Sequence, residues 1–121
     1  MVLIGGVFDA REALAHGLVN EVLPTDALIP MAREVAYEIA QNTSAISVAL
    51  CRQLLWKMLG ADHPMEAHRL DSRFMFWTGG QVDAREGIAS FLEKRPSKFA
   101  MKPSSEMPVA YPWRADGSFK E

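Results

Sequence analysis

The stretch from Pro24 to Pro96 is a nearly unbroken series of helical patterns separated by polar, Gly- or Pro-containing breaks. In the first, which we expect to begin near Thr25 or Asp26, apolar residues recur at i, i+3, i+4, i+7, i+8 and i+11. This stripe consists of Leu28, Met31, Ala32, Val35, Ala36 and Ile39. Pro30 is compatible with such a helix only in its first turn or at a bend. Successive helices leave little of the chain for strands, so the pattern predicts an all-α fold.

The next helix is expected to begin after Ser44, a common N-cap residue, and to end at Gly60. Its apolar residues form two rows rather than one. The rows are Ile46, Leu50 and Leu54 on one side and Val48, Cys51, Leu55 and Leu59 on the other. Two apolar rows are typical of a helix that is buried on two sides. We therefore expect Cys51 to be a small hydrophobic residue of the core.

A further helix is predicted from about Pro64 to Thr78, and it ends in the apolar cluster Phe74-Met75-Phe76-Trp77. Consecutive side chains point in different directions around a helix, so some of these four must face another surface. That surface could belong to another chain.

The last predicted helix begins at Asp83, with Glu86 three residues later, as in a capping box. Its apolar face is expected to consist of Ile88, Phe91 and Leu92. Lys94 and Arg95 are expected in its last turn, where cations interact favourably with the helix dipole. Pro96 then prevents the helix from continuing.

Residues 1–23 form a segment of a different kind. Asp9 is a candidate N-cap for a short helix that ends at Ala15, and Gly17 suits the position just past a helix end. The apolar run Leu18-Val19-Asn20-Glu21-Val22-Leu23 could be a strand. A lone strand cannot satisfy its own backbone hydrogen bonds, so it would need a partner outside this chain.

We divide the sequence into this segment over 1–23, a helical domain over 24–99 and an extended, Pro-containing tail over 100–121. The fold class is thus all-α, with about five helices and the short N-terminal segment. The tail contains Tyr111-Pro112-Trp113, and we expect it to be ordered only if these aromatic side chains find a groove.

Composition excludes several kinds of site. Thirteen Lys and Arg against fifteen Asp and Glu leave a net charge of −2, which argues against a general nucleic-acid binder. The single cysteine excludes an intramolecular disulfide, and His63 and His68 are five residues apart, so no metal site is predicted. No apolar run approaches the roughly 18 residues of a membrane span, and a cytoplasmic protein is the default expectation.

One local feature points to a ligand. Between Glu93 and Lys102 the chain carries Lys94, Arg95, Lys98 and Lys102 against a single acid. Phe91 precedes Lys94 by three residues, a spacing that places both on one helix face. An aromatic ring can stack on a nucleobase while an ammonium pairs with a phosphate. The alternative, which spacing alone favours, is that Phe91 is part of the core and the cations only solvate a helix end.

Two motifs carry a resemblance to a known family. Residues 9–24 read DAREALAHGLVNEVLP, which resembles the A-x-x-A-x-x-x-G-L-V-n-x-V-x-P stretch of the enoyl-CoA hydratase/isomerase (crotonase) family. Residues 83–99 read DAREGIASFLEKRPSKF, which resembles that family's C-terminal D-x-x-E-G-x-x-A-F-x-E-K-R-x-P-x-F. The motifs stand at the family's spacing, and the likeness runs from Met1 to about Phe99.

The resemblance implies the C-terminal helical domain of such an enzyme, with residues 1–23 joining a β-β-α core that would precede it. In the full-length enzyme, the reaction would be hydration of trans-2-enoyl-CoA to 3-hydroxyacyl-CoA, a lyase step of fatty acid metabolism. The oxyanion hole and the catalytic acids belong to the core, so we expect no catalytic residue here and no activity of the isolated chain. Coenzyme A is part of the substrate, and no separate cofactor is expected.

The resemblance also assigns a role to two residues. Phe91 and Lys94 match the family's Phe and Lys that help to bind the adenosine 3′-phosphate end of CoA, often from a neighbouring subunit. A homo-oligomer, trimer or hexamer, is therefore expected. This sequence has Ser90 where many members have Ala and Cys51 where Lys is frequent. These departures leave the subfamily and the substrate open. An isomerase of the same family is the alternative, because the residues that distinguish it from a hydratase would lie in the core, and a non-enzymatic helical self-association module is a further alternative.

Overall fold

A computed structural model describes residues 5–111 of the chain, and in that part every regular element is helical. The all-α prediction of about five helices is confirmed. The elements are α1 (Ala10–Ala15), α2 (Thr25–Asn42), α3 (Ala45–Lys57), a 3-10 turn (Met58–Gly60), α4 (Pro64–Gly79) and α5 (Val82–Glu93). The chain divides into two compact units between Ala36 and Tyr37, within α2.

In the first unit, α1 is capped at both ends by local chemistry. The Asp9 carboxylate accepts a hydrogen bond from the Glu12 backbone N–H at 2.8 Å, which confirms the predicted N-cap. At the other end, Gly17 has a left-handed φ of 70°. The Gly17 N–H donates to Leu14 O at 3.0 Å and the Leu18 N–H to Ala13 O at 2.9 Å. These two bonds form a Schellman motif, the usual C-terminal stop of a helix.

The apolar run over 18–23 contains no strand, so the strand interpretation is wrong. Its first N–H, that of Leu18, is already used by the helix cap. No other strand is present among residues 5–111 to pair with the rest. Leu18, Val19 and Val22 are exposed.

Helix α2 begins at Thr25, as predicted. Pro30 is its sixth residue and lies in the second turn rather than the first, where it removes the N–H that would bond to the carbonyl of Asp26. None of the described residues of α2 is fully buried. The predicted apolar stripe is therefore present in sequence but leaves Leu28, Val35 and Ile39 exposed.

In the second unit, the core lies between α3, α4 and the segment after α5. Its buried members are Ile46, Leu50, Phe74 and Met101. Leu54, Leu70, Trp77, Met107 and Tyr111 pack against them. Tyr111 thus finds a place on the core, whereas Pro112 and Trp113 lie outside the described residues.

Only one of the two apolar rows of α3 is buried. The row that starts at Ile46 faces the core, whereas Leu55, Leu59 and Cys51 are exposed. The prediction that Cys51 is a core residue is therefore wrong. An apolar row is buried only if another surface covers it. Among residues 5–111, such a surface covers the row of Ile46, Leu50 and Leu54 but not the second row.

The Asp83 carboxylate joins three parts of the second unit. Its Oδ2 accepts a hydrogen bond from Ser44 Oγ at 2.7 Å, and its Oδ1 accepts from the backbone N–H groups of Ala100 at 2.9 Å and Met101 at 3.3 Å. Only 6% of Asp83 is exposed. The carboxylate thus fastens the start of α3, the start of α5 and the segment after α5 to one point.

Of the two N-cap predictions for α3 and α5, that for Ser44 is confirmed in position and that for Asp83 is wrong. Helix α5 begins at Val82, so Asp83 is its second residue, and the N-cap position belongs to Gln81. Ser44 does occupy the N-cap position of α3, but its hydroxyl donates to Asp83 instead of capping its own helix. Both side chains serve contacts between elements, which a local motif does not reveal.

We expect Asp83→Ala to lower the free energy of unfolding by about 2–3 kcal/mol, because it leaves two buried N–H groups and one hydroxyl without an acceptor. Asp83→Asn should cost less than about 1 kcal/mol. Its remaining oxygen can serve both N–H groups, and the Ser44 hydroxyl can turn to accept from the new amide. Urea unfolding of the 121-residue chain measures both values. Equal losses in the two variants would contradict the assigned role of the carboxylate.

Candidate functional site

The predicted ligand-binding residues lie at the C-terminal end of α5. The helix ends at Glu93, and Lys94 follows as its C-cap in the left-handed conformation, with a φ of 54°. The Lys94 N–H donates to Phe91 O at 3.3 Å and the Arg95 N–H to Ser90 O at 3.0 Å. The two predicted last-turn cations therefore follow the helix rather than lying within it, because the Schellman turn stops the helix before them.

Phe91 is 83% exposed, which makes it available to a ligand. Ile88 and Leu92, its partners on the predicted apolar face, are exposed as well. The alternative that Phe91 belongs to the core is wrong for the described residues. The helix instead buries Asp83 and Ser90, both polar, on its inner side.

Glu86 anchors the turn. Its carboxylate receives a two-pronged bond from Arg95, with Nη1 at 2.6 Å from Oε1 and Nη2 at 2.9 Å from Oε2. It also accepts the Lys98 backbone N–H at 2.7 Å. The predicted capping-box role of Glu86 is therefore wrong, since the side chain reaches the far end of its own helix and the loop beyond it.

These bonds change the electrostatics of both partners. The hydrogen bonds from Arg95 and from the Lys98 N–H lower the pKa of Glu86 from 4.5 to about 2. Conversely, the hydrogen bonds to Glu86 and Glu93 raise the pKa of Arg95 above its usual value. Both groups thus stay ionised near neutral pH, and each is held in place by the other.

Of the four cations in this stretch, Arg95 is therefore engaged internally, since its Nε also donates to Glu93 at 2.5 Å. Within residues 5–111, the Lys94 ammonium forms no ion pair. The simple charge count from the sequence therefore overestimated the charge available to a ligand. Lys94 lies at the turn itself, and its backbone N–H donates to Phe91 O. The predicted shared helix face of Phe91 and Lys94 is wrong, because Lys94 follows the helix in the left-handed conformation.

Other candidate groups of the second unit carry structure rather than chemistry. The Nδ1 atom of His63 accepts the Met65 backbone N–H at 3.1 Å and so caps α4. Among the described residues, no group of three or more His, Cys, Asp or Glu side chains could hold a metal ion. Nor does any helix in the described part combine the length and hydropathy that membrane crossing requires.

Sequence reasoning missed a cavity of about 300 Å³ between the starts of α3 and α5. Ser47, Trp77 and Phe99 line it together with Asp83. No sequence motif predicts this cavity, because its walls come from segments far apart in sequence. The Asp83 carboxylate in its wall already accepts hydrogen bonds from three donors, so this carboxylate is not available to a ligand.

Comparison with known proteins identifies the class. Residues 1–102 match the family model described as enoyl-CoA hydratase/isomerase. The chain is 38% identical over 96 residues to enoyl-CoA hydratase ACTT3 of Alternaria alternata, which is 78% of this chain and 32% of that protein. It is 35% identical over 100 residues to an (E)-benzylidenesuccinyl-CoA hydratase of Thauera aromatica, which is 82% of this chain and 38% of that protein.

A solved structure agrees with the sequence relatives. The crystal structure of a probable enoyl-CoA hydratase/isomerase from Mycobacterium abscessus matches with a TM-score of 0.76 at 30% identity, over 81% of this chain and 38% of that one. The chain therefore belongs to the enoyl-CoA hydratase/isomerase family, as its two motifs predict. It spans about a third of the length of the curated relatives it matches.

The Glu86 anchor has a pH signature. Because its pKa is lowered in the folded chain, its stabilising effect is complete above about pH 4.5 and is lost as the pH falls through about 2. Carboxyl-carbon NMR should show Glu86 titrating near pH 2. Glu86→Gln should flatten the acid limb of the unfolding curve between those values, and a Glu86 midpoint near 4.5 would contradict the anchor.

Proposed function

We propose that this chain does the work of the C-terminal helical part of an enoyl-CoA hydratase, in which it supplies one side of the CoA site and subunit contacts. The observation that carries the proposal is the end of α5, where an exposed Phe91 adjoins Lys94 in a chain of this family. The full-length enzyme would hydrate trans-2-enoyl-CoA to 3-hydroxyacyl-CoA. Coenzyme A enters as part of that substrate.

The two side chains suit the nucleotide end of CoA. Stacking of a base on an exposed aromatic ring contributes about 1–3 kcal/mol, and it requires a free ring face such as that of Phe91. An ammonium that is not already paired can approach the 3′-phosphate without first giving up another partner. Lys94 meets that condition within the described residues, whereas Arg95 does not.

Hydration is preferred over isomerisation because the curated relatives described above are named hydratases. An isomerase of the same family is the second candidate, since the family model and the solved relative carry both words. The enolate-binding N–H groups and proton-transferring acids of either reaction would come from the family's core. A cytoplasmic location and a role in fatty acid metabolism stay predictions from the sequence.

Subunit contact is the second part of the proposed role. Phe76 on α4 is 89% exposed, and Met75 beside it is also exposed. Large apolar side chains in adjacent exposed positions favour association, because covering them removes apolar surface from water. We therefore propose a homo-oligomer, trimer or hexamer, and this same surface would serve a purely structural self-association module.

CoA recognition can be tested on the 121-residue chain by titration with CoA, dephospho-CoA and pantetheine, followed by amide NMR. We expect CoA to bind about fivefold more tightly than dephospho-CoA, since one exposed ion pair with the 3′-phosphate contributes about 1 kcal/mol. Lys94→Gln should reduce that ratio to about one. Phe91→Ala should weaken both nucleotides equally, because stacking does not involve the 3′-phosphate.

Lys102→Gln is the matched control for that experiment, because it removes the same charge from the same basic stretch but eight residues from Lys94. It should leave the ratio unchanged. A wild-type ratio of one, or equal effects of the two lysine substitutions, would refute the proposed 3′-phosphate contact.

We also expect the purified 121-residue chain to self-associate in sedimentation velocity and yet not to hydrate crotonyl-CoA, since removal of oxyanion-hole donors alone costs hundreds-fold in rate. Phe76→Ser should weaken the association. Hydration above the uncatalysed rate would overturn the assignment of catalysis to the family's core, and a monomer that binds no apolar dye would overturn the subunit contact.

A further inference from the structure

Two helices of this chain end in the same turn with different residues at its centre. After α1 the left-handed residue is Gly17, with a φ of 70°, and after α5 it is Lys94, with a φ of 54°. Both turns have the same pair of hydrogen bonds, one spanning three residues and one spanning five. Lys94 is the one non-glycine residue with a positive φ among the described residues.

Lys94 has a backbone conformation that is unfavourable for a residue with a side chain. Glycine is the usual residue of this position, because a Cβ atom clashes with the neighbouring carbonyl in the left-handed region. A lysine there is strained, and such strain persists only where the surroundings hold the backbone in place. Compared with glycine at this position, lysine adds an ammonium group at the turn.

Glu86 holds the backbone around Lys94 in place. Its two carboxylate oxygens accept hydrogen bonds from the guanidinium of Arg95, the residue directly after Lys94, and it also accepts the backbone N–H of Lys98 further along the loop. Arg95 is also bonded through Nε to Glu93, the residue directly before Lys94. The residues on both sides of the left-handed lysine are thereby fixed.

We propose that Glu86 is a positioning residue for CoA recognition: through Arg95 it keeps the turn left-handed, so that the Lys94 ammonium meets the 3′-phosphate beside Phe91. This inference rests on the proposed function. It assigns part of the selectivity for CoA over dephospho-CoA to Glu86, a residue that does not touch the ligand. The family motif gives the identities of Glu86, Lys94 and Arg95, whereas the left-handed φ of Lys94 and the bonds between Glu86 and Arg95 come from this chain's geometry.

Electrostatics and positioning predict opposite outcomes for Glu86→Gln. Removal of a negative charge near a phosphate site should, by Coulomb's law alone, tighten phosphate binding. Loss of the bonds between Glu86 and Arg95 should instead let Lys94 leave the left-handed region, which would weaken phosphate binding. The sign of the change therefore separates the two explanations without any assumption about its size.

The test measures the ratio of CoA to dephospho-CoA affinity for the full 121-residue chain. Glu86→Gln should lower the ratio from about fivefold to below twofold while the affinity for dephospho-CoA, which depends on Phe91, stays the same. Arg95→Lys should do likewise, since it keeps the charge but loses the two-pronged bond. Glu66→Gln, on α4, removes the same charge elsewhere and should leave the ratio unchanged.

Lys94→Gly completes the set. It should remove the strain and raise the melting temperature by about 3 °C, while reducing the ratio to one. A lower melting temperature would contradict the strain at Lys94. Adding Glu86→Gln to Lys94→Gln should not change the ratio further, because the residue being positioned is already gone.

The outcomes separate the two proposals. If Lys94→Gln leaves the ratio unchanged, the 3′-phosphate contact itself fails, and the positioning role fails with it. If Lys94→Gln abolishes the ratio but Glu86→Gln and Arg95→Lys preserve or raise it, the contact stands and the positioning role is overturned.

Discussion

One buried carboxylate, that of Asp83, holds the second unit together. Its three donors come from the start of α3 and from two consecutive residues after α5, so a single side chain specifies where three segments meet. A buried carboxylate is tolerated only when donors compensate for its lost hydration. Apolar contacts in the core of Ile46, Leu50, Phe74 and Met101 have little directional preference, whereas the hydrogen bonds to Asp83 require a defined geometry.

Much of the fold could be predicted from local pattern. Asp9 and Ser44 mark the positions where helices begin, and periodicity identifies the helices between. Side-chain contacts across the fold could not be predicted, because Ser44 reaches Asp83 over 39 residues. The exposure of Cys51 was missed for a related reason: periodicity shows that a face is apolar but not whether another surface covers it.

The candidate site shows the same division. The spacing and the family motif single out Phe91 and Lys94, and their role toward CoA stays a prediction. The left-handed turn at Lys94 could not be predicted, because it breaks the local rule that assigns such positions to glycine. The sequence pattern predicts a capping role for Glu86, whereas its carboxylate bonds to Arg95 nine residues further along the chain, a contact that a local motif does not reveal.

The order in which a ribosome releases the chain gives the Asp83 contact a temporal meaning. Helix α3 emerges well before α5, and the acceptor for the Ser44 hydroxyl appears 39 residues later. The other two donors to this carboxylate, the N–H groups of Ala100 and Met101, are synthesised later still, and Met101 is also a member of the buried cluster. Until those residues are made, the nascent helices have neither their hydrogen-bonded junction nor a complete buried cluster, so the second unit can close only after residue 101 has been synthesised.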